Sequence, residues 1–194
     1  MKSTSEIRSR LGDAEGAEKA KVLALAHCIL NQATRWQSGE KTVSSGPVKE
    51  VLDLLSSLEI GALQLPCPEF SFCGNPRPPR TKDEYACLPG FQSHCERLAK
   101  SSAQRLKSLI SQSGNPRIEV LAIIGVERSP TCGIDLTPYR RGVSVKYENE
   151  KGLFMEKLEL ELKRLGIEIP MLGLDLNQPS ILCRKVKDIS KSSS

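Results

Sequence analysis

The chain has 194 residues, 39% of them hydrophobic and 26% charged, with a formal charge of +5. That length suits one domain with a full core, and the apolar runs fall far short of the roughly 20 residues that span a bilayer, so no membrane association is expected. Aromatic residues make up only 4%, too few for a base-stacking platform, and no polymeric nucleic acid is expected as a partner.

Residues 1–19 are charged and lack an apolar segment, which reads as a flexible leader rather than a secretory signal. Residues 21–30 (KVLALAHCIL) are continuously apolar, as in a strand buried on both faces. After a polar loop, Pro47 opens a helix whose apolar face carries Val48, Val51, Leu52, Leu55 and Leu58. Residues 60–65 form a second strand. The segment 66–83 is rich in Pro and Gly, and long loops of that kind in compact domains are usually functional or disordered. A helix is predicted over 84–111, broken or bent near Pro89 and Gly90, followed by a turn at Gly114-Asn115-Pro116 and a third strand over 118–126. An amphipathic helix over 153–165 ends at Gly166, a fourth strand covers 169–176, and residues 187–194 read as a flexible tail. Strands alternating with helices predict an α/β fold: a single Rossmann-like domain over residues 20–186, with a parallel sheet of about four strands and helices on both faces.

Seven cysteines without an export signal fit the reducing cytoplasm, where clustered thiols serve metals or catalysis more often than disulfides. Cys28, Cys67 and Cys132 each follow an apolar run. In a parallel sheet the carboxyl ends of the strands share one edge, the place where open α/β sheets bind ligands. Three thiolates meeting there would make a metal site with a coordination position to spare. An iron–sulfur cluster with one open iron suits that donor set, and zinc is the rival. The bland alternative is that each cysteine is a small buried hydrophobe. Glu69 lies two residues after Cys67 and Ser129 three before Cys132. Arg35, Arg77, Arg128, Arg140 and Arg141 are candidates to line the pocket mouth and hold an anionic group. His27 is expected to be packed or bonded, Cys73 is a candidate fourth ligand or redox partner, and Cys87, Cys95 and Cys183 read as structural. No glycine-rich phosphate loop follows any strand, which weighs against a metal-free, flavodoxin-like nucleotide-binding domain.

Three segments together resemble the signature of the thiouracil desulfurase family. They are Cys28-Ile29-Leu30-Asn31 with Arg35-Trp36; Cys67-Pro68-Glu69 with Pro76-Arg77-Pro78-Pro79; and Ser129-Pro130-Thr131-Cys132-Gly133. The resemblance extends over roughly residues 20–140. It implies a [4Fe-4S] cluster held by Cys28, Cys67 and Cys132, proton handling by Glu69 and Ser129, and removal of sulfur from a small thiocarbonyl compound such as a thiolated nucleobase. Arg35 and Arg77 then become candidates for substrate binding. The chain departs from the family pattern at Asn31, Thr34, Trp36, residues 70–75 and Thr81, all around the expected pocket, which marks a divergent branch. A cluster-binding module without turnover remains the alternative.

Overall fold

The computed structural model describes residues 19–36 and 45–192, so the leader over 1–18 and part of the first loop lie outside the described residues. Chain order is β1 (Lys19–Leu25), α1 (His27–Leu30), a 3-10 turn (Gln32–Thr34), α2 (Lys49–Ser57), β2 (Gly61–Gln64), α3 (Pro68–Cys73), α4 (Lys82–Ala86), α5 (Phe91–Ser111), β3 (Arg117–Val126), β4 (Thr137–Arg141), β5 (Ser144–Glu148), α6 (Leu153–Arg164), β6 (Met171–Leu174) and α7 (Pro179–Ser192). Strands β2, β1, β3 and β6 form one parallel sheet in that order. The first crossover, through α2, moves outward from β1 to edge strand β2, whereas those through α5 and α6 move the opposite way. Right-handed crossovers therefore put α2 on one face and α5 with α6 on the other. Helix α7 returns to pack against α2, and α5 packs against α6. The predicted α/β architecture, a four-stranded parallel sheet flanked by helices, is the one observed.

Central strand β3 is buried from Val120 to Val126. Phe91, Phe154, Met155 and Leu158 close the core on the α5–α6 face, while Leu182 and Val186 of α7 join it from the other side. Two local predictions are corrected and a third is resolved. Strand β1 stops at Leu25; Ala26 turns the chain and residues 27–30 make one helical turn, with Asn31 N–H donating to the His27 carbonyl (3.0 Å). The run stays apolar because Ile29 remains wholly buried, and periodicity alone does not separate a strand from a short buried helix. The helix predicted over 84–111, broken or bent near Pro89 and Gly90, is broken there into two. Thr81 and Glu84 form a capping box at the start of α4, and Gly90, at φ +81°, starts α5. Finally, α7 runs on through Ser192 where the tail reads as loose. Its charged residues are only the outward face of an amphipathic helix. The hairpin β4–β5 has no sequence counterpart among the predicted elements.

Ion pairs centred on buried Lys82 tie that hairpin and α4 to the start of α6. Lys82 is almost fully buried, yet its ammonium donates to Glu150 (2.6 Å), Glu156 (2.5 Å) and the Lys151 carbonyl (2.7 Å). Arg140 donates to Glu84 (2.9 Å). The Arg140 bond holds the Glu84 carboxyl below its ordinary range, and the Lys82 bond does the same for Glu150. A carboxyl with a depressed folded pKa contributes stability above its unfolded pKa and loses it as pH falls through the folded value. The melting temperature should therefore hold down to about pH 5 and fall below it. Glu84→Gln with Glu150→Gln should flatten that acid limb in a calorimetric pH series; an unchanged limb would assign it elsewhere.

Candidate functional site

The carboxyl ends of β1 and β3 open onto a cavity of about 120 Å³, walled by Cys28, residues 34–36, Cys67, Glu69, Arg77 and residues 126–132. Cys28 is presented by α1 and Cys67 caps α3, where its sulfur accepts from the Phe70 N–H (3.4 Å) and Pro68 occupies the first turn. Cys132 sits in a tight loop laid back over β3. Val126 N–H donates to the Cys132 carbonyl (2.9 Å), and the Ser129 hydroxyl accepts from Cys132 N–H (3.0 Å). Gly125 makes that close approach possible, since a Cβ there would fall inside the Cys132 carbonyl oxygen. Gly125→Ala should lower stability by about 1–3 kcal/mol, an overpacking cost readable by denaturant titration; no loss would mean that the loop yields freely.

The three thiols sense one another. Burial pushes the Cys28 thiol up to about 12, with a further push from Cys67 and an opposing pull from Arg35. Burial, then Cys67 and Cys28, drives the Cys132 thiol well above its ordinary value. Burial and the Glu69 charge raise Cys67 as well. All seven cysteines are free. Glu69 is buried against the same wall. One carboxylate oxygen accepts from the Thr131 hydroxyl (2.8 Å) and, more distantly, from Ser129 (3.4 Å). The other accepts from Arg77 (3.3 Å) and the Tyr85 hydroxyl (3.3 Å). Arg77 also donates to Asn75 (2.5 Å) and the Gly74 carbonyl (3.2 Å), so its guanidinium lines the cavity already committed to neighbours.

The sequence-predicted trio and Glu69, Ser129, Arg35, Arg77 and Arg128 thus share one cavity. Arg128 pairs with Asp175. Arg140 and Arg141 do not belong to it; they sit on the β4–β5 hairpin, paired with Glu84 and Glu148. Cys73, Cys87, Cys95 and Cys183 are absent from its wall. His27 turns to Gln64, its Nδ1 at 2.5 Å from the amide nitrogen, and burial pulls its pKa down. Thr131, Tyr85 and Glu127 are site residues that sequence reasoning missed. Thr131 lay inside the Ser129–Gly133 motif, whereas Tyr85 reaches Glu69 from a separate helix with no signal in the pattern.

Among the described residues no group of three or more His, Cys, Asp or Glu side chains is disposed to hold a metal ion. A single zinc needs its donors at about 2.3 Å from one point, and that arrangement is not preformed. A polynuclear cluster instead takes thiolates at separate irons, so its donors surround a space. Three free thiols line one cavity together with carboxylate and hydroxyl groups, a donor set of the right chemistry for such a group and one thiolate short of the usual four.

No family model matches the chain, and no solved structure matches it. It is similar to an uncharacterized protein of Methanocaldococcus jannaschii, 27% identical over 158 residues that cover 81% of this chain and 88% of that one. Among the described residues no helix is long and apolar enough to cross a membrane.

Proposed function

We propose that the cavity holds a [4Fe-4S] cluster through Cys28, Cys67 and Cys132, and that the protein is a desulfidase for a small thiocarbonyl compound such as a thiolated nucleobase. The observation that carries this reading is the gathering of three free thiols from three separate loops on one cavity wall, beside Glu69 and Ser129. A cluster there would supply an iron without a protein ligand, a Lewis acid suited to soft sulfur. The chain supplies the proton chemistry. Replacing carbon-bound sulfur by oxygen consumes one water, which must lose a proton as it attacks; in this reading Glu69, a carboxylate on the cavity wall, receives it. The Ser129 hydroxyl, hydrogen-bonded towards Glu69, can orient the incoming water or return a proton to the departing sulfur. Arg77 and Tyr85 hold the carboxylate from behind, so that its position does not depend on substrate.

The test is turnover without oxygen. Reconstituted protein incubated with 2-thiouracil and with 4-thiouridine should release one sulfide per sulfur-free product formed. Loaded, folded protein that releases none from either compound would defeat the desulfidase reading. One observation favours a cluster-binding module without turnover: the Glu69 oxygens already meet four donors, leaving little free acceptor capacity. Glu69→Gln discriminates, because a module has no turnover to lose.

A further inference from the structure

Of the two carboxylates on the cavity wall, Glu69 is tied to side chains and Glu127 to backbone. Glu127 directly follows β3, and its carboxylate accepts from the backbone N–H groups of Leu136 (2.7 Å) and Asp135 (3.2 Å), nine and eight residues further on. Its own N–H donates to the Leu174 carbonyl of β6 (2.9 Å). The loop between carries Ser129, Thr131 and Cys132, and it contains strain: Arg128 adopts φ +62°, a left-handed conformation that a residue with a side chain keeps only when its surroundings over-determine it. Arg128 N–H in turn donates to the Leu136 carbonyl (2.9 Å). The carboxylate lies where a side chain on β6 would otherwise stand, since a Cβ on Gly173 would coincide with its Oε1.

We infer that Glu127 is the positioning residue of the third thiol loop, and that Gly173 is the vacancy that seats it. Glu127 touches none of the reacting groups. It clips the two ends of the loop together, and so sets where Ser129 and Cys132 stand relative to Cys28 and Cys67. A glycine at this position of β6 then serves the site, because the three atoms that a Cβ would meet first all belong to Glu127.

The test reads the apo protein first. Backbone amide exchange at Asp135 and Leu136 should speed up about tenfold or more in Glu127→Ala, the loss of a charge-assisted hydrogen bond. Gly173→Ala, which displaces the carboxylate without removing it, should do the same. The two changes should be non-additive, because with no carboxylate the added methyl displaces nothing. Glu127→Gln, which keeps an acceptor oxygen, should stay within a few-fold of the parent. Unchanged exchange in Glu127→Ala, or full additivity of the pair, overturns the inference. A second readout rests on the proposed function: iron loss to a chelator from loaded protein should be faster in Glu127→Ala and in Gly173→Ala than in the parent. A parent protein that takes up no iron refutes the cluster, while the exchange measurements still decide the role of Glu127.

Discussion

Protein reconstituted anaerobically should be brown and carry about four irons and four sulfides per chain, and Cys132→Ala should reduce both to background. The expectation follows from the surroundings of the three thiols. All three thiols are driven above their ordinary pKa by burial, and Cys28 and Cys132 are pushed further by other thiols of the set. Without metal they are neutral and mutually repelled on ionising; metal binding must displace their protons. Removal of one donor leaves two thiols and no third anchor on the β3 side, where Cys132 is nine-tenths or more buried and no other cysteine reaches the wall. Cys73→Ala, by contrast, should leave iron and sulfide unchanged, since that thiol stands outside the cavity wall. A colourless parent protein after reconstitution, or a Cys132→Ala variant that still loads fully, would sink the cluster.

Glu69→Gln should lower turnover about 10²–10⁴-fold, the usual range for loss of a general base, while iron and sulfide content stays at the parent level. It should also weaken the fold. The Arg77 guanidinium is 3% exposed and would lose its carboxylate, and breaking a buried ion pair costs about 3–5 kcal/mol. Turnover and stability are separable by assaying well below the variant's melting temperature, with circular dichroism as the check on folding. Arg77→Met in the Glu69→Gln background should restore part of the stability but none of the turnover, because an apolar replacement removes the orphaned charge and supplies no base. Turnover in folded, loaded Glu69→Gln within a few-fold of the parent would remove Glu69 from the chemistry.

The sheet was legible because its strands are short apolar runs between amphipathic helices, a pattern that needs no tertiary information. That Cys28, Cys67 and Cys132 border one cavity was legible for the same reason: parallel strands bring their ends to one edge whatever the loops do. What escaped were arrangements made by distant partners. Tyr85 donates to Glu69 from α4, and nothing in the spacing of α4 announces it. Lys82 looks like an ordinary charged helix residue, but its burial becomes visible only once Glu150 and Glu156 are folded around it. Helix α7 was hidden by composition, since the side chains that dock it, Leu182 and Val186, are few among lysines and serines. Arg77 was read as a ligand-binding residue on residue type; the cavity wall is where it stands, yet its donors face Glu69, Asn75 and Gly74.

The cavity's walls come from three remote stretches of one polypeptide, brought together where neighbouring strands β1 and β3 send their chains to opposite faces. No fragment that lacks one of these stretches, and no nascent chain that stops before Cys132, owns a complete set of walls. Occupancy must therefore wait until the loop that follows β3 has been made and β1, β2 and β3 have paired. Any tight occupant then acts as a rivet for the entire domain, adding about 2.7 kcal/mol at a hundredfold excess over its dissociation constant. The loaded protein should outlast its empty form against proteases everywhere along its length, far beyond the rim of the pocket.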